Sequence, residues 1–150
     1  MSVKIERATV EDTNELIRIQ NESFLSDYIL FGECPGYGRS YDSMKKSIET
    51  CYVFKILDGD TIIGDIIVRD KGNDNYYLGG LCVIPTYENK GIGHTAMKFI
   101  FSFFDDAKHW SLETPLLKGR NHYFYKKHGF EITKEYLVGS VDICLFEKFR

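Results

Sequence analysis

Gly91-Ile92-Gly93 stands where an apolar stretch, Tyr76 to Ile84, gives way to a long amphipathic segment, and that junction makes a seat for an anion. The first N–H groups of a helix have no partner within it, and the helix dipole favours negative charge there. Glycines let a phosphate reach the backbone with no Cβ in the way. The donors would run from Asn89 and Lys90 through Gly91, Ile92, Gly93 and His94 to Thr95. This is chemistry for holding a pyrophosphate, with the reactive end of the same molecule on the strand before the turn. A basic cluster downstream, Lys118, Arg120, Lys126 and Lys127, is either a solvated face or a second contact for phosphates.

The elements that must position this turn can be read from periodicity. Residues 3–8 alternate as a half-buried strand does, and Thr9 with Asp12 forms a variant capping box ahead of a helix that carries Leu16, Ile17, Gln20 and Phe24. From Ser26 to Arg39 the pattern dissolves into a long Gly- and Pro-containing loop, of the kind that often binds or covers a ligand. A second helix spans about Ser40 to Thr50, with Tyr41, Met44 and Ile48 on one stripe. Strands at Tyr52–Leu57 and Thr61–Arg69 flank the hairpin signal Asp58-Gly59-Asp60. The strand Tyr76–Ile84 contains Gly79-Gly80, a mark of a bulge or a close backbone approach. A helix over Gly91–Ala107 buries Ile92, Ala96, Phe99, Ile100, Phe103 and Ala107. A strand at Trp110–Thr114, a short helix around Asn121–His128 and strands at Phe130–Val138 and Val141–Phe149 complete the chain. The order is β-α-α-β-β-β-α-β-α-β-β, an α+β fold with a mixed, mostly antiparallel sheet, the strand before the glycine turn central and the final hairpin at an edge.

Length and composition narrow the classes. The 150 residues fit one domain with its own core, residues 1–150. The net charge of −3 argues against general nucleic-acid binding. No apolar run reaches the roughly 18 residues of a membrane span, and the N-terminus has no signal-peptide core, so the expected location is cytoplasmic. Cys34, Cys51, Cys82 and Cys144 are widely spaced without a Cys-x-x-Cys pair, which fits free thiols in a reducing compartment better than disulfides or a zinc site, and no metal is expected. A homodimer is one option for assembly.

Two cofactor classes compete for the turn. Gly91, Gly93 and Ala96 match the Gly-x-Gly-x-x-Gly/Ala dinucleotide fingerprint, with Glu113 about twenty residues on. Against this, Pro85 to Lys90 make the turn too long, the unit follows an antiparallel hairpin, and the chain beyond the helix is too short for a second nucleotide-binding half. The segment Val83-x-Pro85-x-Tyr87-x-x-Lys90-Gly91-Ile92-Gly93 resembles the acetyl-CoA motif of the GNAT (GCN5-related N-acetyltransferase) superfamily, Gln/Arg-x-x-Gly-x-Gly/Ala, with Glu88 in the Gln/Arg position as a departure. Asn121 to Phe130 is similar to that family's Asn…Tyr-x-x-x-Gly-Phe segment. The two motifs cover residues 76–130, and the flanking element order agrees with the family's fold.

The resemblance implies transfer of an acetyl group from acetyl-CoA to an amine of a small molecule or peptide, by direct attack in a ternary complex. The alternative is a catalytically silent acyl-CoA-binding module. The resemblance further implies that Leu81, Cys82 and Val83 offer backbone groups to the pantetheine arm, that the Val83 N–H polarises the thioester carbonyl, and that Asn121 bonds the pantetheine or the acceptor unless it is a plain helix cap. Tyr125 is implied as the acid that meets the leaving thiolate, phenol and thiol being nearly matched in free solution. A base is needed because an alkyl ammonium costs about 4–5 kcal/mol to deprotonate at pH 7. Glu113 is the first candidate, with Glu22 and Asp27 behind it, and His122 is read as solvent-facing. Cys82 is a poor nucleophile, because an apolar strand raises a thiol's pKa. Tyr28, Phe31, Tyr37 and Tyr41 either line an acceptor pocket or cap the core.

Overall fold

A computed structural model describes residues 2–150. The chain runs β1 (Val3–Arg7), a 3-10 turn (Val10–Asp12), α1 (Thr13–Phe31), α2 (Tyr41–Thr50), β2 (Tyr52–Asp58), β3 (Thr61–Gly72), β4 (Asn75–Val83), a second 3-10 turn (Pro85–Tyr87), α3 (Ile92–Phe103), β5 (His109–Pro115), α4 (Gly119–Lys127), β6 (Glu131–Val138) and β7 (Val141–Phe149). The seven strands form one sheet in the order β1-β2-β3-β4-β5-β7-β6. Every pairing is antiparallel except that of β4 with β5. The fold is therefore the expected mixed α/β one, with β4 at the centre and the last hairpin at an edge.

The two faces of the sheet are covered by different helices. Phe54, Tyr76 and Trp110 meet Phe99, Phe101, Phe103 and Phe104 of the α3 region, a cluster of edge-to-face rings that builds much of the core. On the other face Gln20 of α1 reaches Asp65 of β3, and Lys55 of β2 binds Asp12 at the start of α1. The capping-box contact is present, with the Thr9 N–H donating to Asp12 Oδ2 at 2.9 Å, but it opens the 3-10 turn and not the helix itself.

Two helix ends differ from expectation: α3 stops at Phe103 and not at Ala107, leaving Phe103 half exposed where burial was expected, and α1 runs on past Ser26. Ser26–Phe31 is helix and not loop, and α1 ends where the Gly32 N–H bonds the Tyr28 carbonyl. Ile29 and Leu30 lie exposed on this last turn and a half, so no amphipathic period announces it. The shorter loop that follows folds back onto α1. Gly36 lies against the Phe24 ring, the Gly38 N–H donates to Asn21 Oδ1, and Tyr37 stacks on Tyr28 at 4.4 Å.

Candidate active site

The sheet opens at its centre. β4 and β5 pair only through Asn75↔His109, Tyr76↔Trp110 and Tyr77↔Ser111, and beyond that crotch neither strand has a partner on its inner edge among the described residues. The local cause lies in β4. Ile67 faces Gly80 while Val68 faces Leu78, so Gly79 is the extra residue of a bulge, as the glycine pair suggested. A bulge bends its strand, and here the bend turns β4 away from β5.

The alternation of peptide groups along β4 decides which ones face the opening. The Ile84 N–H donates to the Ile63 carbonyl, and the Cys82 carbonyl lies close enough to Gly64 that a Cβ there would sit 2.2 Å from it. Cys82 and Ile84 thus turn their peptide groups toward β3, and Leu81 and Val83 turn theirs into the opening. Leu81 and Val83 fit a pantetheine-like arm. Cys82 does not, because its backbone serves β3 and its side chain is buried on the α1 face. Burial also pushes its thiol well up, against any nucleophilic role.

The glycine turn has the geometry of an anion seat. Gly91 caps α3 with φ 78°, a left-handed backbone that favours glycine, and nothing lies within 4 Å of where its Cβ would be. Gly93 is needed for a second reason, since a Cβ there would meet the Phe124 ring at 3.1 Å, where α3 and α4 pack. An open turn of donors at one end and an unpaired strand edge at the other fit an elongated thioester with phosphates at its far end.

Tyr125 sits in α4 on the α3 face, 9% exposed, with its ring against Phe130 and Phe146. Phe146 pairs with Leu112 of β5, so Tyr125 stands over the level where the sheet parts. Its hydroxyl has no hydrogen-bond partner among the described residues. Burial raises its pKa above the ordinary phenol value, so it carries its proton throughout the neutral range, but the near match with a thiol expected from free-solution values is lost.

Glu113 lies one residue along from Leu112 and on the opposite face. Its Oε1 accepts from the Tyr77 hydroxyl at 2.7 Å and its Oε2 from the Tyr136 hydroxyl of β6. Burial and the adjacent carboxylate both raise the Tyr77 phenol, fixing it as a donor. The other carboxylates considered for a base are engaged elsewhere. Glu22 pairs with Arg18 on the outer side of α1, and Asp27 holds Lys118 at 2.7 Å, tying α1 to the loop before α4. Asn121 is the third residue of α4 and donates to Thr114 Oγ1 at 3.0 Å, so it is not a helix cap. His122 is half-buried and not solvent-facing, its ring against Phe146 and its Nε2 3.2 Å from the Pro115 carbonyl.

Asp65 is the residue that sequence reasoning missed. It is fully buried, accepts from Gln20 Nε2 at 3.0 Å and from the Cys82 thiol at 3.3 Å, and burial lifts its pKa to about 6. A lone acid between Ile62-Ile63 and Ile66-Ile67 was the available signal, because a charge amid apolar residues on both faces has no solvent side to occupy.

The acetyltransferase (GNAT) domain model matches residues 48–132, more than half of the chain. The uncharacterized protein YrkN of Bacillus subtilis (strain 168) is 31% identical over 140 residues, covering 89% of this chain and 76% of the relative. The protein belongs to the GNAT acetyltransferase family. Among solved structures, the PaiA N-acetyltransferase of Thermoplasma acidophilum in complex with coenzyme A superposes with a TM-score of 0.86 at 21% identity over 100% of both chains. The ribosomal-protein-S18-alanine N-acetyltransferase of Escherichia coli gives 0.81 at 13% identity over 99% of this chain and 94% of that one. At such identities these two establish likeness of fold. The family places the chain among acetyltransferases that use coenzyme A thioesters and removes the dinucleotide reading of the glycine turn.

Proposed function

We propose that the protein transfers an acetyl group from acetyl-CoA to a primary amine of a small molecule or peptide by direct attack, with both substrates bound together. The observation that carries this reading is the placement of Tyr125 and Glu113 at one level of the parted sheet, on opposite faces. Acetyl-CoA supplies an activated carbonyl and a thiolate leaving group. The backbone from Asn89 to His94 holds its phosphates, the Thr95 N–H being already bonded to the Gly91 carbonyl at 3.1 Å, and the Leu81 and Val83 peptide groups hold its arm.

Position along β4 favours Leu81 over Val83 for the carbonyl. Glu113 is level with the Gly79 bulge, and Leu81 is about 7 Å nearer to it along the strand than Val83 is, at 3.3 Å per residue. A fixed N–H facing developing negative charge is a large catalytic contribution, often about 3 kcal/mol. Tyr125 donates to the departing sulfur from one face. Glu113 orients the amine on the other and accepts its proton as acylation makes the nitrogen acidic. Both oxygens of Glu113 already accept from a phenol, and their remaining lone pairs face the neutral amine. The occupation of both its oxygens is also what supports the second reading, a CoA-binding module without turnover.

Acetyl-CoA mixed with a panel of amines, with free thiol as readout, separates the two. Turnover on any amine supports transfer, whereas tight CoA binding with no turnover supports the module. Tyr125→Phe should lower kcat by about 10²-fold or more while CoA affinity stays within about twofold. Equal loss of both would make the tyrosine structural. Because burial raises Tyr125, kcat should rise with pH as the amine deprotonates and show no falling limb below about pH 10.

A further inference from the structure

Glu88 departs from the family motif by placing a carboxylate where a Gln or Arg is usual, at the lip of the proposed phosphate turn. The structure supplies a cation to the same spot from another segment. Arg120, in the first turn of α4, donates from Nη1 to Glu88 Oε2 at 3.0 Å and from Nη2 to Asn89 Oδ1 at 2.8 Å. One planar guanidinium thus spans two adjacent residues of the loop, with only Lys90 between them and Gly91. Asn89 has a left-handed backbone, φ 61°, which sets its side chain in that position. The Arg120 helix keeps its place relative to the turn because Phe124, one turn along α4, packs on Gly93.

We propose that Arg120 is a ligand for a phosphate of the cofactor, and that Glu88 holds the guanidinium in place until that phosphate displaces it. This rests on the acetyl-CoA reading given above. The Arg120 side chain is 65% exposed and that of Glu88 37%, so their pair is solvated and easily exchanged. A phosphate ester offers more charge than a carboxylate and suits the bidentate fork equally well. Glu88 therefore acts in two ways. It positions the arginine, and it competes with the incoming anion. The lost Gln or Arg of the motif is replaced by a residue thirty-two positions later, under the control of a carboxylate that the motif does not have.

Calorimetric titration with CoA, 3′-dephospho-CoA and pantetheine tests this without measuring turnover. Both side chains are exposed enough for the variants to fold, which thermal melting checks. Arg120→Ala should weaken CoA binding at least tenfold and leave pantetheine binding unchanged, with Arg120→Lys intermediate. Loss confined to CoA identifies the 3′-phosphate as the partner, and equal loss with 3′-dephospho-CoA identifies the pyrophosphate. Glu88→Gln should tighten CoA binding several-fold in the presence of Arg120 and by much less in Arg120→Ala. Wild-type protein that binds CoA no better than Arg120→Ala does, or a Glu88→Gln gain of the same size in both backgrounds, overturns the proposal. Wild-type protein that does not bind CoA at all overturns the acetyl-CoA reading itself.

Discussion

Asp65 is a carboxylate held wholly inside the protein. Its unfolded pKa is near 3.8 and its folded one about 6, so between these values the folded state binds more protons than the unfolded one. The stability this contributes is complete below the lower value and is lost as pH rises through the higher one, a change on the order of 3 kcal/mol. Arg39 is the cation whose field opposes the shift, and the Gln20 amide and the Cys82 thiol reduce it by hydrogen bonding. Asp65→Asn keeps the shape and cannot ionise. Urea unfolding of this variant should show a stability nearly flat between about pH 4 and pH 7, where the wild type declines. An unchanged decline would place its source elsewhere. The Gln20 Oε1 is buried with no partner among the described residues, and the new amide has an N–H to offer it. Residues of this kind are hard to read in a sequence. The glycine turn and the Tyr-x-x-x-Gly-Phe segment announce themselves because their chemistry is local. Asp65 acquires its meaning from Gln20 and Cys82, which are far away in the chain.

At the level of elements, β4 carries most of what positions the site. Its bulge at Gly79 was legible because two adjacent glycines weaken an apolar strand and are kept where the backbone must bend or come close to a neighbour. That Cys82 faces away from the opening was not legible, because it depends on which peptide groups pair with β3. The close approach of β3 at Gly64 gives a direct test of that pairing. A Cβ on Gly64 would meet the Cys82 carbonyl at 2.2 Å, a backbone atom that cannot swing aside. Gly64→Ala should therefore cost about 2–3 kcal/mol, read as a lowered urea midpoint at unchanged slope. A midpoint equal to the wild type's would mean that the strands are spaced differently there. The end of α1 is where the residue pattern and the structure differ most. Its last residues include exposed Ile29 and Leu30, and helix-forming residues without a buried stripe look like loop from the sequence.

For the molecule as a whole, the α1 face is drawn together by ties between distant segments. Asp27 holds Lys118 in the loop before α4, and Glu33 accepts from the Ser140 N–H at the tip of the β6–β7 turn. Lys118→Met should lower stability by on the order of 1–2 kcal/mol and raise the acceptor KM, with CoA affinity unchanged. A change in CoA affinity instead would mean that the tie serves the opposite face. The parted sheet itself has a kinetic consequence. If the thioester enters from the α3 side and the amine from the α1 side, each has its own door, and neither must leave before the other arrives. Either order of arrival is then productive. Double-reciprocal plots should intersect rather than run parallel, and an unreactive amine analogue should slow the reaction without competing against acetyl-CoA.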